Sequence, residues 1–208
     1  MKRLLLISAL TLSTYFLHSQ DQKWSLEANY PLNLVDGSAS GINNLNAILD
    51  LGLKYRFIEL GPVNLGMGLN TSFLKKNNNF TFGTPDSNDL GYDYKAKTYL
   101  LQPKLFMEMP IPGLTKLKPQ LGIGYSVVFD DTYFKDGETV VFDNSETDGA
   151  LNLNLGLSYD ISNRIFIQIQ YDYLNIARKG ESVFNEQSYT YDFKENANIL
   201  KAGVGFRF

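Results

Sequence analysis

The chain closes on Gly203-Val204-Gly205-Phe206-Arg207-Phe208. In an extended strand, successive side chains point to opposite faces. Val204, Phe206 and Phe208 therefore share one face, and Gly203, Gly205 and Arg207 share the other. The alternation extends back to about Asn198, with Leu200 and Ala202 on the apolar face and Lys201 on the polar one. The segment stops on a bare aromatic. A strand with one greasy face and one face of glycine and charge is the unit from which the rest of the chain is read.

Working back toward the start, the same unit recurs. Ile165, Ile167, Ile169, Tyr171 and Tyr173 alternate with Phe166, Gln168, Gln170 and Asp172. Leu151, Leu153, Leu155, Leu157 and Tyr159 alternate with Asn152, Asn154, Gly156 and Ser158. Leu117 to Phe129 sets Leu121, Ile123, Tyr125 and Val127 against Lys118, Gln120, Gly122, Gly124 and Ser126. A less regular segment, about Tyr94 to Met109, sets Tyr99, Leu101, Leu105 and Met107 against Gln102, Lys104 and Glu108, and Leu100 and Phe106 intrude on its polar face. Pro103 lacks a ladder donor and predicts a bulge or kink there. Val63 to Phe73, Asn44 to Phe57 and Lys23 to Tyr30 complete eight segments. Their polar faces carry Asn70 and Ser72, then Asp50, Lys54 and Arg56, then Glu27 and Asn29.

The connections alternate in length. Ile58–Pro62, Pro110–Gly113 and Ser162–Asn163 are short and rich in turn residues. Pro31–Asn43, Lys75–Asp93, Asp130–Gly149 and Ala177–Ala197 are polar and are read as long loops. Amphipathic helix patterns are lacking, and no stretch after the first residues holds ~18 consecutive apolar positions.

The chain opens with Met1-Lys2-Arg3 and an apolar run from Leu4 to Leu17, the parts of a secretory signal peptide. A lone transmembrane anchor is the alternative, but the run is short for a ~20-residue span and is broken by Ser8, Thr11, Ser13 and Thr14. Residues 1–19 are assigned to a cleaved signal peptide and 20–208 to one domain. The formal charge is −3, and loss of Lys2 and Arg3 takes it to about −5, a balance that argues against a nucleic-acid partner. There is no cysteine, and the single histidine, His18, lies in the signal segment.

Period two by itself leaves two barrels open: a soluble one with the apolar face inside, and a membrane one with the apolar face outside. Three observations favour the second. Glycines 52, 66, 68, 122, 124, 156, 203 and 205 all lie on the polar face, where a narrow lumen needs small residues. Aromatics gather at the segment ends on the apolar face: Trp24, Tyr55, Phe57, Tyr159, Phe206 and Phe208 near the short turns, and Tyr30, Phe73, Tyr99, Tyr125, Phe129, Tyr171 and Tyr173 toward the long connections. About ten tilted residues cross a bilayer core, which matches the segment lengths. The expected fold is all-β, an eight-stranded antiparallel up-and-down transmembrane barrel, with both termini on the periplasmic side of the outer membrane of a Gram-negative bacterium.

At three stretches the sequence resembles the small outer-membrane β-barrel proteins of Bacteroidota, the PorT-like and OmpX/OmpA-like barrels. They are Tyr99-Leu100-Leu101-Gln102-Pro103, Lys118 to Tyr125, and the terminal Gly-Val-Gly-Phe-Arg-Phe. The resemblance implies fold and location and says little about activity.

Chemistry is narrowed by what is missing. A lipid deacylase needs a serine activated by histidine, and an omptin-like protease needs Asp-His; with His18 removed, neither is expected. A carboxylate pair remains as an acid and base. Glu27, Asp50, Glu108 and Asp172 are predicted to face the lumen, with Lys54, Arg56, Lys104, Lys118, Lys201 and Arg207 and the amides Gln120, Gln168 and Gln170. The reading preferred is a packed polar network in which the charges balance, since an unpaired buried charge is costly. The acidic stretch Asp130–Gly149 invites a calcium reading, but Asn144-Ser145-Glu146-Thr147-Asp148-Gly149 continues to Leu155 where a bidentate Glu is needed; a solvated acidic loop is preferred.

No catalytic, cofactor or metal residue is therefore assigned. Phe206 and Phe208 are assigned as a signal to the barrel assembly machinery. Three functions stay open: a non-enzymatic barrel whose loops contact an outer-membrane or surface protein, a narrow pore or transporter for small solutes, and a lipid-directed enzyme. Membrane lipids are the other expected partners.

Overall fold

Backbone groups in hydrocarbon must all be paired, and a sheet of two-faced strands meets that demand by closing on itself. The computed structural model, which describes residues 22–34, 46–82, 90–136, 139–184 and 187–208, shows this closure. The strands are β1 (Trp24–Asn33), β2 (Asn46–Leu60), β3 (Val63–Phe82), β4 (Leu90–Glu108), β5 (Leu117–Asp136), β6 (Thr139–Asp160), β7 (Ile165–Phe184) and β8 (Gln187–Arg207). Each pairs antiparallel with its sequence neighbours, and β8 pairs with β1 to complete the ring. Just past β8, Phe208 exchanges backbone hydrogen bonds with Trp24, at 3.0 and 3.1 Å. The proposed signal segment lies outside the described residues.

The apolar face points outward. Leu26, Leu51, Leu53, Met67, Leu69, Leu105, Ile123, Leu153, Leu155, Ile167 and Val204 are exposed, while Glu27, Asp50, Lys54, Asn70, Lys104, Asn154 and Lys201 are buried. The Trp24 and Tyr55 rings pack at a tilt with centres 4.5 Å apart near the short turns, and Phe73 stacks on Tyr99 at 4.7 Å at the other end of the apolar band. Gly61 and Gly113 sit in short turns at φ +60° and +82°, a left-handed backbone that a Cβ would strain. Strand parity, read from the sequence, is thus the parity of the fold along most of each strand; it fails at Ile48, expected inward but exposed beside the Ala47/Leu49 register shift, and at Phe208.

Three sequence expectations need correction. First, three of the four long connections are mostly strand: β3 and β4 remain paired out to Phe82 and Leu90, β5 and β6 to Asp136 and Thr139, β7 and β8 to Phe184 and Gln187, while most of the fourth, Pro31–Asn43, lies outside the described residues. Beyond the bilayer both faces meet water, so alternation fades although the hydrogen-bond ladder continues. Second, Pro103 makes no bulge. It pairs in register with Leu69, and the β4–β5 register is the same on either side of the unpaired Gln102 and Pro103. The register shifts fall at Ala47/Leu49, Arg56/Ile58 and Phe134/Lys135 instead. Third, Phe208 is buried rather than part of the outer aromatic girdle.

The outer extensions do not continue the full ring. β6 and β7 pair only as far as Gly149 and Ala177. Past that point β3, β4, β5 and β6 form one four-stranded sheet, and β7 with β8 forms a separate hairpin.

Candidate functional site: lumen and outer rim

The inward side chains fall into layers along the barrel axis. Nearest the short turns, Arg56 Nε donates to Glu108 Oε1 at 2.5 Å and Arg56 Nη2 to Glu108 Oε2 at 3.2 Å. On the other wall, Asp160 receives Arg207 at 2.5 Å and Lys118 at 2.7 Å. Two aromatic rings share this layer. Phe106 covers Gly66 and Phe166 covers Gly205, and a Cβ at either glycine would run into the ring. The Arg207 guanidinium lies 4.3 Å from the centre of Phe166, a cation–π arrangement.

The middle layer is one connected network. Lys54 meets Glu27 at 2.6 Å and donates to Gln120 Oε1 at 2.7 Å. Gln120 donates to Asn154 at 3.2 Å, and Asn154 donates to Asp172. Lys201 meets Asp172 and Asp50 at 2.7 Å each and donates to Gln102 at 2.9 Å. Asp50 also receives Asn29, Asn70 and Ser72. Gln168 donates to Asn29, and Gln170 to Glu27. Every strand of the ring contributes at least one of these residues.

Its charges balance: Glu27, Asp50 and Asp172 against Lys54, Lys201 and the buried Lys104. Low dielectric strengthens each pair, and the same low dielectric makes a missing partner costly. Small residues give the long chains their room. A Cβ at Gly68 would press on the stems of Lys54 and Lys104, and one at Gly52 on Asn70 and Glu27.

Above the network is a dry layer that sequence reasoning missed. Leu74, Ala96, Leu100, Val128, Ala150, Leu174, Ile176, Ala197 and Ile199 cluster inside the barrel. A signal was present: Phe73-Leu74, Leu100-Leu101, Val127-Val128, Tyr173-Leu174 and Ile199-Leu200 are adjacent apolar pairs, so both faces are apolar at one level. Leu100, the intruder noted in the sequence, is one of these inward residues.

Beyond the dry layer, Arg178 on β7 gathers carboxylates from three other strands. Its Nη1 lies 2.5 Å from Asp130 on β5 and 2.5 Å from Asp148 on β6, and its Nε lies 3.2 Å from Glu195 on β8. Burial works against the guanidinium charge, but the three carboxylates outweigh it and hold its pKa above the usual value. Tyr191 on β8 donates to Glu146 on β6 at 2.5 Å, which pushes the phenol up to about 12. The cluster spans the split between the outer sheet and the β7–β8 hairpin. The acidic stretch is thus not a solvated loop: Asp130, Glu146 and Asp148 turn inward from strands. The Asn144–Gly149 segment is extended within β6, which cannot wrap an ion as a calcium loop does. Glu138 lies outside the described residues.

Comparison with known proteins follows the geometry. Neisserial surface protein A matches with a TM-score of 0.51 at 14% identity, over 89% of this chain and 97% of that one. Ail, the attachment invasion locus protein of Yersinia pestis, gives 0.50 at 14% over 89% and 96%. The outer membrane protein OprG from Pseudomonas aeruginosa gives 0.50 at 15% over 89% and 95%. At such identities the likeness shows the fold alone. Comparison with the curated proteins gives no match. The model of the outer membrane protein β-barrel domain matches residues 4–208, nearly the whole sequence, and the chain belongs to that family.

Proposed function

We propose that this protein is a non-enzymatic outer-membrane barrel, sealed along its axis, whose outer hairpins contact a partner at the cell surface. The observation that carries the reading is the division of the interior. A charge-balanced network drawn from all eight strands and a dry apolar layer fill the lumen, while β3 to β8 run well past the apolar band. An eight-stranded barrel has an interior just wide enough for side chains to fill it. The carboxylates best placed for acid–base work are already engaged: Glu27 with Lys54, Glu108 with Arg56, and Asp50 and Asp172 with Lys201. That favours a structural network over catalysis.

In this reading the short turns and both strand termini face the periplasm and the extended hairpins face outward, the usual plan of such barrels. The terminal strand with Phe206 and Phe208 is read by the assembly machinery before the ring closes on Trp24. The finer kinship, to the PorT-like and OmpX/OmpA-like barrels of Bacteroidota, belongs to the same proposal. Planar bilayers test the sealed lumen: no steady single-channel current is expected, and reproducible conductance from purified protein would move the function to transport. Surface cross-linking on whole cells tests the contact. Replacing residues 78–92 by a short turn should leave the barrel folded and abolish the cross-linked species; an unchanged pattern after all three outer hairpins are trimmed in turn overturns the surface role.

A further inference from the structure

Just beyond the Phe73–Tyr99 stack, the outer wall of β3 and β4 carries two lysines, Lys75 and Lys97, that form no ion pair among the described residues. Lys75 and Lys97 are directly opposite in the β3–β4 ladder. Both follow outward parity, one step past Phe73 and Tyr99, a rise of about 7 Å along the strand. Like charges facing each other across a ladder are unfavourable. The nearest candidate for relief, Asp131, faces Lys97 from β5 but accepts from Ser145 Oγ at 2.7 Å instead. Among the described residues neither Lys75 nor Lys97 forms an ion pair. The contrast with the opposite wall is plain, where Lys179 is paired with Asp192 at 2.9 Å. In a chain of net charge −3, two unpaired lysines placed opposite each other on one rim need a reason.

We propose that Lys75 and Lys97 form a binding site for the phosphate-bearing headgroup of a membrane lipid. A phosphate monoester is a compact dianion with enough oxygens to accept from both ammoniums at once. It relieves the repulsion that the ladder imposes. The level is that of a headgroup, because the aromatic pair beneath marks the edge of the hydrocarbon. Tyr99 and Leu101, both exposed below Lys97, give the attached acyl chain an apolar track down the wall. A freely soluble anion would gain the charge contact and none of this track, which is why the site commits to a lipid. The site rests on the outward reading of the hairpins only for which leaflet supplies the lipid. The chemistry of the pair is independent of that orientation.

The test uses the full barrel, folded in phosphatidylcholine vesicles doped with phosphatidic acid, then extracted gently and weighed with its retained lipid by native mass spectrometry. Phosphatidic acid should be enriched over phosphatidylcholine on the unaltered protein. The double variant K75Q/K97Q should lose about tenfold of that enrichment or more, since each lysine near a lipid surface contributes on the order of 1 kcal/mol. K179Q, on the far wall, should retain it. Equal enrichment in K75Q/K97Q and the parent, or equal loss in K179Q, overturns the site. Displacement by free glycerol phosphate at the same concentration overturns the lipid as ligand. Heat-modifiable migration confirms folding, and if the double variant does not fold, K97Q carries the same comparison. Failure of the surface role would be read separately, in whole cells, and leaves this measurement unaffected.

Discussion

Lys201 on β8 holds its ammonium 2.7 Å from Asp50 on β2, with β1 standing between the two strands. The contact therefore reaches past a neighbour and bridges the lumen rather than the ladder. Lys201 also meets Asp172, so one cation serves two buried carboxylates. Strand closure and charge balance are coupled at this residue.

Replacing Lys201 by Met should destabilise the barrel by about 3–5 kcal/mol, because two buried carboxylates lose their cation. Urea unfolding of protein refolded into vesicles measures this. The triple variant K201M/D50N/D172N should recover part of the loss. No recovery would mean that Lys201 acts through packing alone.

Phe166 covers Gly205 inside the barrel, so Gly205→Val should cost about 1–3 kcal/mol by overpacking. In the Phe166→Ala background the same change should cost less. Equal costs in the two backgrounds would show that ring and glycine are not coupled.

Leu153 faces lipid and Asn154 faces the lumen. Leu153→Arg should destabilise by about 2–4 kcal/mol in a bilayer. Asn154→Ala breaks the link from Gln120 to Asp172 and should cost about 1–3 kcal/mol. In thinner bilayers the Leu153→Arg penalty should fall while the Asn154→Ala penalty holds. The opposite dependence would invert the two faces.

Arg178→Leu leaves Asp130, Asp148 and Glu195 together without their cation. The membrane-spanning body should stay folded, since its network lies beyond the dry layer. The outer extensions of β6 and β7, which share no ladder past Gly149 and Ala177, should be cut faster by protease. Unchanged cleavage would show that Arg178 does not tie them.

Deleting Phe208 removes two backbone hydrogen bonds to Trp24 and a buried ring. The amount of assembled barrel should fall while export of the chain continues, as judged by heat-modifiable migration and by periplasmic accumulation. Assembly at the normal level would remove the terminal residue from the assembly step.

The intruders in the alternation separate the legible from the hidden. Phe106 and Leu100 stand out in the sequence as apolar residues on a polar face. That they point inward follows from parity. That Phe106 fills the space above Gly66 while Leu100 belongs to a dry layer with Val128 and Leu174 follows only from register between strands far apart in the chain. Arg178 carried no signal, because it sits in a polar stretch whose strand character water conceals.

Strand number, face parity and the outward direction of the apolar side were determined by the sequence alone, because period two is local and a bilayer tolerates only one of the two faces. Which carboxylate meets which cation was decided by the tertiary structure. Glu27 and Lys54 lie on adjacent strands, Lys201 and Asp50 do not, and only the staggered closure of the ring fixes the distances between them. The length of the outer hairpins was decided there too, since backbone hydrogen bonds extend a ladder where side-chain hydrophobicity no longer marks it.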